Sequence, residues 1–256
     1  MGYGLGFGTI QFLCLYVGMA AGFPAGLASL ALQSSAPFTV VLGALLLRER
    51  VGARAAIGVA VAVCGLAVVG LSRAGQTELW PFLLVVLGGF GWALGNLASR
   101  LAAAPNPLHL TLWMSVVPPV PLFLASWVFE GRERITDSLS TSLSVAAVPA
   151  WAGLAYTIVL ATLVGSGLWV WLMARYPAGV VAPFSMLVPV VGIATAALVL
   201  GERPTALELL GGALVVGGVL WGSRRAKAAA RSAPAPAAMS PAVPVAPTAT
   251  DKAATW

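Results

Sequence analysis

Apolar residues fall in long blocks along this chain, broken by short stretches that carry nearly all of its charge. Eight blocks stand out, over roughly residues 2–21, 25–47, 54–71, 79–99, 108–129, 149–173, 179–200 and 205–222. A helix that crosses a bilayer needs about 20 mostly apolar residues. Most of the blocks reach that length, and the third and the last fall just short of it. The pattern predicts an all-α fold, a polytopic membrane bundle of about eight transmembrane helices. The longest connection, from Glu130 to Val148, is polar at first and predicts a surface helix.

Composition points the same way. The chain is 59% hydrophobic and 9% charged, whereas a soluble domain carries about 25% charged residues. So little charge cannot clothe a surface in water, which makes the lipid bilayer its solvent. The net charge of +6 does not imply nucleic-acid binding, because the basic residues sit between apolar blocks and in the tail rather than on one face. Lipid head groups and membrane orientation account for them. The two cysteines, Cys14 and Cys64, lie inside apolar blocks and read as small core residues. The start, Met1-Gly2-Tyr3-Gly4, lacks the basic opening of a secretory signal.

The chain also contains part of itself twice. Pro24, Ala25 and Gly26 recur 153 residues later as Pro177, Ala178 and Gly179. Glu49 and Arg50 recur as Glu202 and Arg203, Gly58 as Gly211, and Gly65 as Gly218. The blocks then divide into a first copy of three helices (1–71), a second copy of five (79–222) and a tail (223–256). The tail is rich in Ala, Pro and Ser and is expected to be disordered and cytoplasmic. A full first copy would need two further leading spans, about 75 residues, ahead of Met1.

Lys and Arg set the orientation. With both termini in the cytoplasm, ten basic residues fall inside and only Arg73, Arg132, Arg134 and Arg203 fall outside. That is a positive-inside distribution. The first copy then begins inside and the second outside, so the two are inverted. A unit of five spans, an odd number, would force that inversion.

On these residues the chain resembles the EamA family of the drug/metabolite transporter superfamily. The likeness rests on the five-span unit and on the close of its fourth span. There a Pro-containing helix ends in Leu-Leu-Leu-Arg-Glu-Arg (45–50) or Leu-Val-Leu-Gly-Glu-Arg (198–203), and a Gly-rich span follows. The resemblance implies a ten-helix carrier of the cell inner membrane, multi-pass, often an exporter of amino acids and related metabolites. This chain departs from it by lacking the first two helices.

Candidate site residues are the polar ones inside spans. Pro37 and Pro189 lie in the second and seventh blocks, and a mid-helix proline cannot donate to the carbonyl four residues back. Those carbonyls belong to Gln33 and Ser185, so a side chain that can line a cavity sits at each loosened turn. The alternative is that Gln33 and Ser185 only repair the kink. Trp92 and Asn96 share one helix face. Gln11 and Asn96 are costly in lipid and are expected to point inward. Tyr156, Ser166 and Trp169 complete the candidate lining; for the tryptophans, the competing reading is an interfacial belt. Glu49 and Glu202, at span ends, read as helix terminators that pair with loops.

A membrane enzyme is disfavoured. Gly165-Ser166-Gly167 is not a nucleophile elbow, and His109, the only histidine, has no acid or cysteine near it in sequence. No metal site and no cofactor are predicted. The expected partners are the bilayer and a small neutral or zwitterionic substrate, or a small amphiphile, moved by alternating access. Nucleic acid is not among them. A fragment that moves nothing, a homodimer or a partner subunit filling the gap left by the missing helices remains the alternative, above all if Gln11 faces lipid. The intact mass of the protein made from its own locus tests the shortened start. A mass above 26.1 kDa by about 75 residues' worth supports a ten-helix carrier; agreement with 26.1 kDa makes the missing helices real.

Overall fold

In the computed structural model the described residues are 1–74, 79–102, 115–166, 168, 171–172, 175 and 187–232. Every regular element among them is helical. The chain forms two units, Met1–Ser223 and Arg224–Trp256. In the first unit, α1 (Gly4–Ala20), α2 (Ala25–Leu46), α3 (Ala53–Ala74) and α4 (Trp80–Ala102) come first. Then follow α5 (Pro119–Phe129), α6 (Gly131–Thr141), α7 (Val145–Gly165), α8 (Leu187–Leu200) and the start of α9 (Ala206–Ser232), whose last nine residues belong to the second unit. Among the described residues, α2, α3, α4 and α7 are long and apolar enough to cross a membrane, and α1, α5, α8 and residues 206–222 are shorter apolar helices. Each of the eight apolar blocks thus holds a helix. The polar connection after Glu130 forms α6, as expected. The described helix α9 runs to Ser232, past the point where the tail was expected to lose structure. Its last residues, rich in Ala, Lys and Arg, are strong helix formers.

The core lies between α2, α3, α4 and α9. Phe23, Leu27, Leu30, Leu66, Val69, Phe82, Val85 and Val215 are buried against one another. No residue of α5 or α6 is buried, and the spanning window of α7 is wholly exposed. Lipid tails are as apolar as leucine, so such surface is stable in a bilayer, where it would be a liability in water.

Lipid also removes the hydrophobic drive that joins helices in water, leaving close packing to do it. The crossing of α3 with α9 shows this. A Cβ at Gly58 would lie 2.5 Å from the Gly218 carbonyl oxygen, and one at Gly65 would lie 2.5 Å from the Gly211 carbonyl oxygen. The two backbones therefore touch, with no side chain between them. Rising numbers on α3 meet falling numbers on α9, so the helices are antiparallel. Gly58 and Gly211 are repeat mates, as are Gly65 and Gly218. The two contacts are therefore one contact seen twice, related by a pseudo-twofold axis, and the mates point in opposite directions.

The span ends are matched in the same way. The Glu49 N–H donates to the Gly43 carbonyl (3.2 Å) and the Glu202 N–H to the Ala196 carbonyl (3.3 Å), again repeat mates. Such six-to-one bonds close a helix when the residue before adopts a left-handed conformation. Gly201 does so at φ +69 and Arg48, its mate, at φ +53. Within α2 a tight 3-10 turn at Leu32–Ser34 interrupts the helix just ahead of Pro37.

The glycine crossing generates a test. Gly218→Val is expected to destabilise the bundle by about 1–3 kcal/mol through overpacking. Gly217→Val, where an added Cβ meets nothing within 4 Å, is expected to be near neutral. Thermal unfolding of both variants in detergent separates the two.

Candidate functional site

An open groove of about 620 Å³ runs along α2 and α8, with Tyr156 of α7 at its edge. Its wall is aliphatic, with Val188, Val191 and Val199 prominent, and carries three hydroxyls, Ser29, Tyr156 and Thr195. Among the described residues no charged side chain lines it. The groove lies where α2 packs against α8. The glycines again permit the approach: a Cβ at Gly192 would collide with the Ser29 hydroxyl oxygen, and one at Gly26 would lie 3.0 Å from the Ala196 Cβ. Ser29 donates its own hydroxyl to the Gly26 carbonyl (2.7 Å). Such a groove suits a small molecule with an apolar body and a few hydrogen-bonding groups.

A smaller recess of about 260 Å³ adjoins it, lined by Gly26, Leu27, Ile193, Glu202 and Arg203 among others. The Glu202 carboxylate closes this end. Its two oxygens accept hydrogen bonds from the backbone N–H groups of Ala25 (2.8 Å) and Gly26 (3.0 Å). The first N–H groups of a helix have no partner within the helix, and the positive helix end attracts the carboxylate. Bonds to a charged group contribute on the order of 1.5–3 kcal/mol each. Glu202 therefore does more than end α8: it ties the second repeat to the start of α2. Its mate Glu49 does something different. It forms an ion pair with Arg100 at an exposed position, with a second contact from Arg100 Nη1 at 3.4 Å.

The sequence-predicted residues divide between two places. Tyr156 lines the groove. Gln11, Trp92 and Asn96 lie instead among α1, α2 and α4. Trp92 stacks edge-on against Phe7 at 5.3 Å, and Asn96 donates to the Thr39 hydroxyl at 3.2 Å. Gln11 is 4% exposed, its turn of α1 against Gly88 and Gly91 of α4. Its Oε1 has no hydrogen-bond partner among the described residues. Gln11 thus points inward, which removes the lipid-facing glutamine as a reason for a partner subunit. Gln33 is half-buried in the 3-10 turn, and Pro37 is buried just after it. Pro189 is buried near the start of the described part of α8. Ser185, Trp169 and His109 lie outside the described residues, and of Ser166 only the backbone is described.

Sequence reasoning missed Ser29 and Thr195, which are common helix residues with no pattern to mark them. It also missed Glu208, near the start of the last apolar block, which is fully buried in the first turn of α9. There Thr205 and Glu208 cap each other: Glu208 Oε2 accepts from the Thr205 N–H at 2.7 Å, and the Thr205 hydroxyl accepts from the Glu208 N–H at 3.3 Å. The signal was legible, since Thr-x-x-Glu before an apolar run is a capping box. Both cysteines are free thiols, Cys14 buried and Cys64 exposed. Among the described residues no group of three or more His, Cys, Asp or Glu is placed to hold a metal ion.

The model of the EamA-like transporter family matches residues 79–224. A probable amino-acid metabolite efflux pump of Escherichia coli (strain K12) is 38% identical over 225 residues, covering 86% of this chain and 74% of the relative. The protein of the same name in Salmonella typhimurium matches to the same extent. A probable terminal-alkyne amino-acid exporter of Streptantibioticus cattleyicolor is 30% identical over 218 residues, covering 83% of this chain and 69% of the relative. No solved structure matches the chain.

The buried, unpartnered oxygen of Gln11 generates a prediction. Gln11→Met keeps the bulk and removes the stranded acceptor, so the protein is expected to gain about 1 kcal/mol of stability. Thermal unfolding in detergent reads this directly; a loss of stability would show that Gln11 holds α1 to its neighbours.

Proposed function

This chain belongs to the EamA-like transporter family, and from that premise we propose that it exports amino acids or close derivatives with an apolar side chain. It is an integral, multi-pass membrane transporter of small metabolites. The observation that carries the substrate reading is the groove between α2, α7 and α8. Among the described residues its wall is aliphatic and uncharged and its polar groups are three hydroxyls; on the repeat reading of the sequence it would lie between the two copies. In carriers built from inverted repeats the substrate binds at that junction, and access alternates as one repeat rocks against the other.

The substrate's apolar side chain would lie along Val188, Val191 and Val199, with Ser29, Tyr156 and Thr195 offering hydrogen bonds to its polar end. The names of the relatives support amino-acid metabolites as the class. Gln11, Gln33, Trp92 and Asn96 would border the pathway on the α1–α4 side rather than the groove itself. In this reading the protein catalyses no bond-making, and it lies in the cell inner membrane with both termini cytoplasmic.

Efflux from cells or proteoliposomes loaded with labelled leucine, phenylalanine or small polar amino acids tests the proposal. The apolar ones are expected to leave faster than from vesicles lacking the protein. Val191→Trp, which fills the groove from its exposed wall, is expected to cut that efflux at least about tenfold, or about 1.4 kcal/mol, with the protein still in the membrane. Equal efflux by Val191→Trp would move the binding site elsewhere.

A further inference from the structure

We propose that α6 is an interfacial helix, lying in the plane of the bilayer with its Ile135, Leu139 and Leu143 side sunk between the lipid head groups and the acyl chains. The inference needs the chain to be a membrane protein and is independent of what the carrier moves.

The pattern of α6 sets two sides. Ile135 and Leu139, with Leu143 in the turn that follows, recur every four residues and so share a side. Glu133, Asp137 and Thr141 fall on the opposite side. No residue of α6 is buried, and Leu139 is 68% and Leu143 95% exposed. At 11 residues α6 cannot cross a bilayer, which takes about 20. A helix with one apolar and one charged side lies in the membrane interface instead.

The neighbouring elements decide what covers the apolar side. Val128 and Phe129 at the end of α5, and Val145 and Val148 at the start of α7, are all exposed. The apolar side of α6 is therefore continuous at both ends with surface that the bilayer solvates. Trp127 and Trp151 bracket α6 in the chain, and tryptophan concentrates at the membrane–water boundary. The Trp151 indole N–H donates to the Ser142 carbonyl at 2.7 Å, which ties the end of α6 to the first turns of α7. A protein partner fits this surface poorly. An isoleucine and two leucines fall well short of the about 800 Å² per partner of a stable interface.

Three further features suit the boundary. Gly131, at φ +81, ends α5 with a left-handed residue, so α6 starts in a new direction rather than extending the span. The hydroxyls of Thr136, Ser140, Thr141 and Ser142 donate to carbonyls of α6 itself, so none of them needs water. Glu130, Glu133 and Asp137 outnumber Arg132 and Arg134. The contact therefore rests on the apolar side and not on attraction to anionic lipid.

The test uses the full-length protein with Cys14→Ala and Cys64→Ala in phosphatidylcholine vesicles. One nitroxide at a time is attached through Asp137→Cys, Leu139→Cys, Thr141→Cys or Leu143→Cys. Its relaxation is read with oxygen, which concentrates in lipid, and with a water-soluble nickel chelate present on both sides of the membrane. Oxygen is expected to dominate at 139 and 143, and the chelate at 137 and 141. Dominance of the chelate at all four positions overturns the proposal, since α6 then stands in water. Shielding of 139 and 143 from both reagents also overturns it, since protein then covers the stripe. With the label at 143, Leu139→Asp is expected to raise the chelate-to-oxygen ratio about tenfold, because a leucine no longer holds the helix in the boundary. An unchanged ratio overturns the proposal. Adding phosphatidylglycerol is expected to leave the pattern as it is. Embedding that appears only with this anionic lipid overturns the apolar account and assigns the contact to Arg132 and Arg134.

Discussion

Two helices that run in opposite directions touch backbone to backbone, Gly58 on Gly218 and Gly65 on Gly211, and the bundle is organised around that contact. A membrane offers helices no hydrophobic reason to associate, so the attraction must come from van der Waals contact and hydrogen bonds at short range. Glycine is the residue that allows such an approach. The core follows from it: α3 and α9 bring Leu66, Val69 and Val215 against Leu30 of α2, and Phe82 and Val85 of α4 complete the cluster. Because the four glycines are two pairs of repeat mates, the contact also fixes the pseudo-twofold axis. Any substrate groove between the repeats is placed by that axis.

Symmetry at the crossing and asymmetry at the carboxylates have different physical origins. Glycine contacts are rigid and have one good geometry, so both copies adopt it. A carboxylate on a flexible side chain at a span end has a choice between an exposed arginine and the unpaired N–H groups of a helix start. Those two arrangements exclude each other for a given glutamate.

The candidate site was legible only in part. Tyr156 could be singled out because an aromatic hydroxyl within an apolar block stands out, and the groove contains it. Gln11 and Asn96 were expected inward because lipid cannot satisfy an amide. Gln11 is buried and Asn96 is bonded to Thr39. Ser29 and Thr195 carried no such signal, since a helix accommodates either hydroxyl by bonding it to its own backbone. Glu202 was visible as a landmark of the repeat, but its partners Ala25 and Gly26 lie more than 170 residues away, and no local pattern joins them.

The sequence by itself determined the solvent, the number of apolar helices and the surface helix after Glu130. These follow from local quantities: block length, charge placement and residue spacing. The tertiary structure alone decided which glycines meet, which hydroxyls share a groove, and that one of two equivalent glutamates caps a helix while the other pairs with Arg100. Such choices depend on distances between residues far apart in the chain, and on which of two bonding arrangements a repeat adopts. The local order around Glu49 and Glu202 does not reveal that difference; the partners that the packing brings to each do.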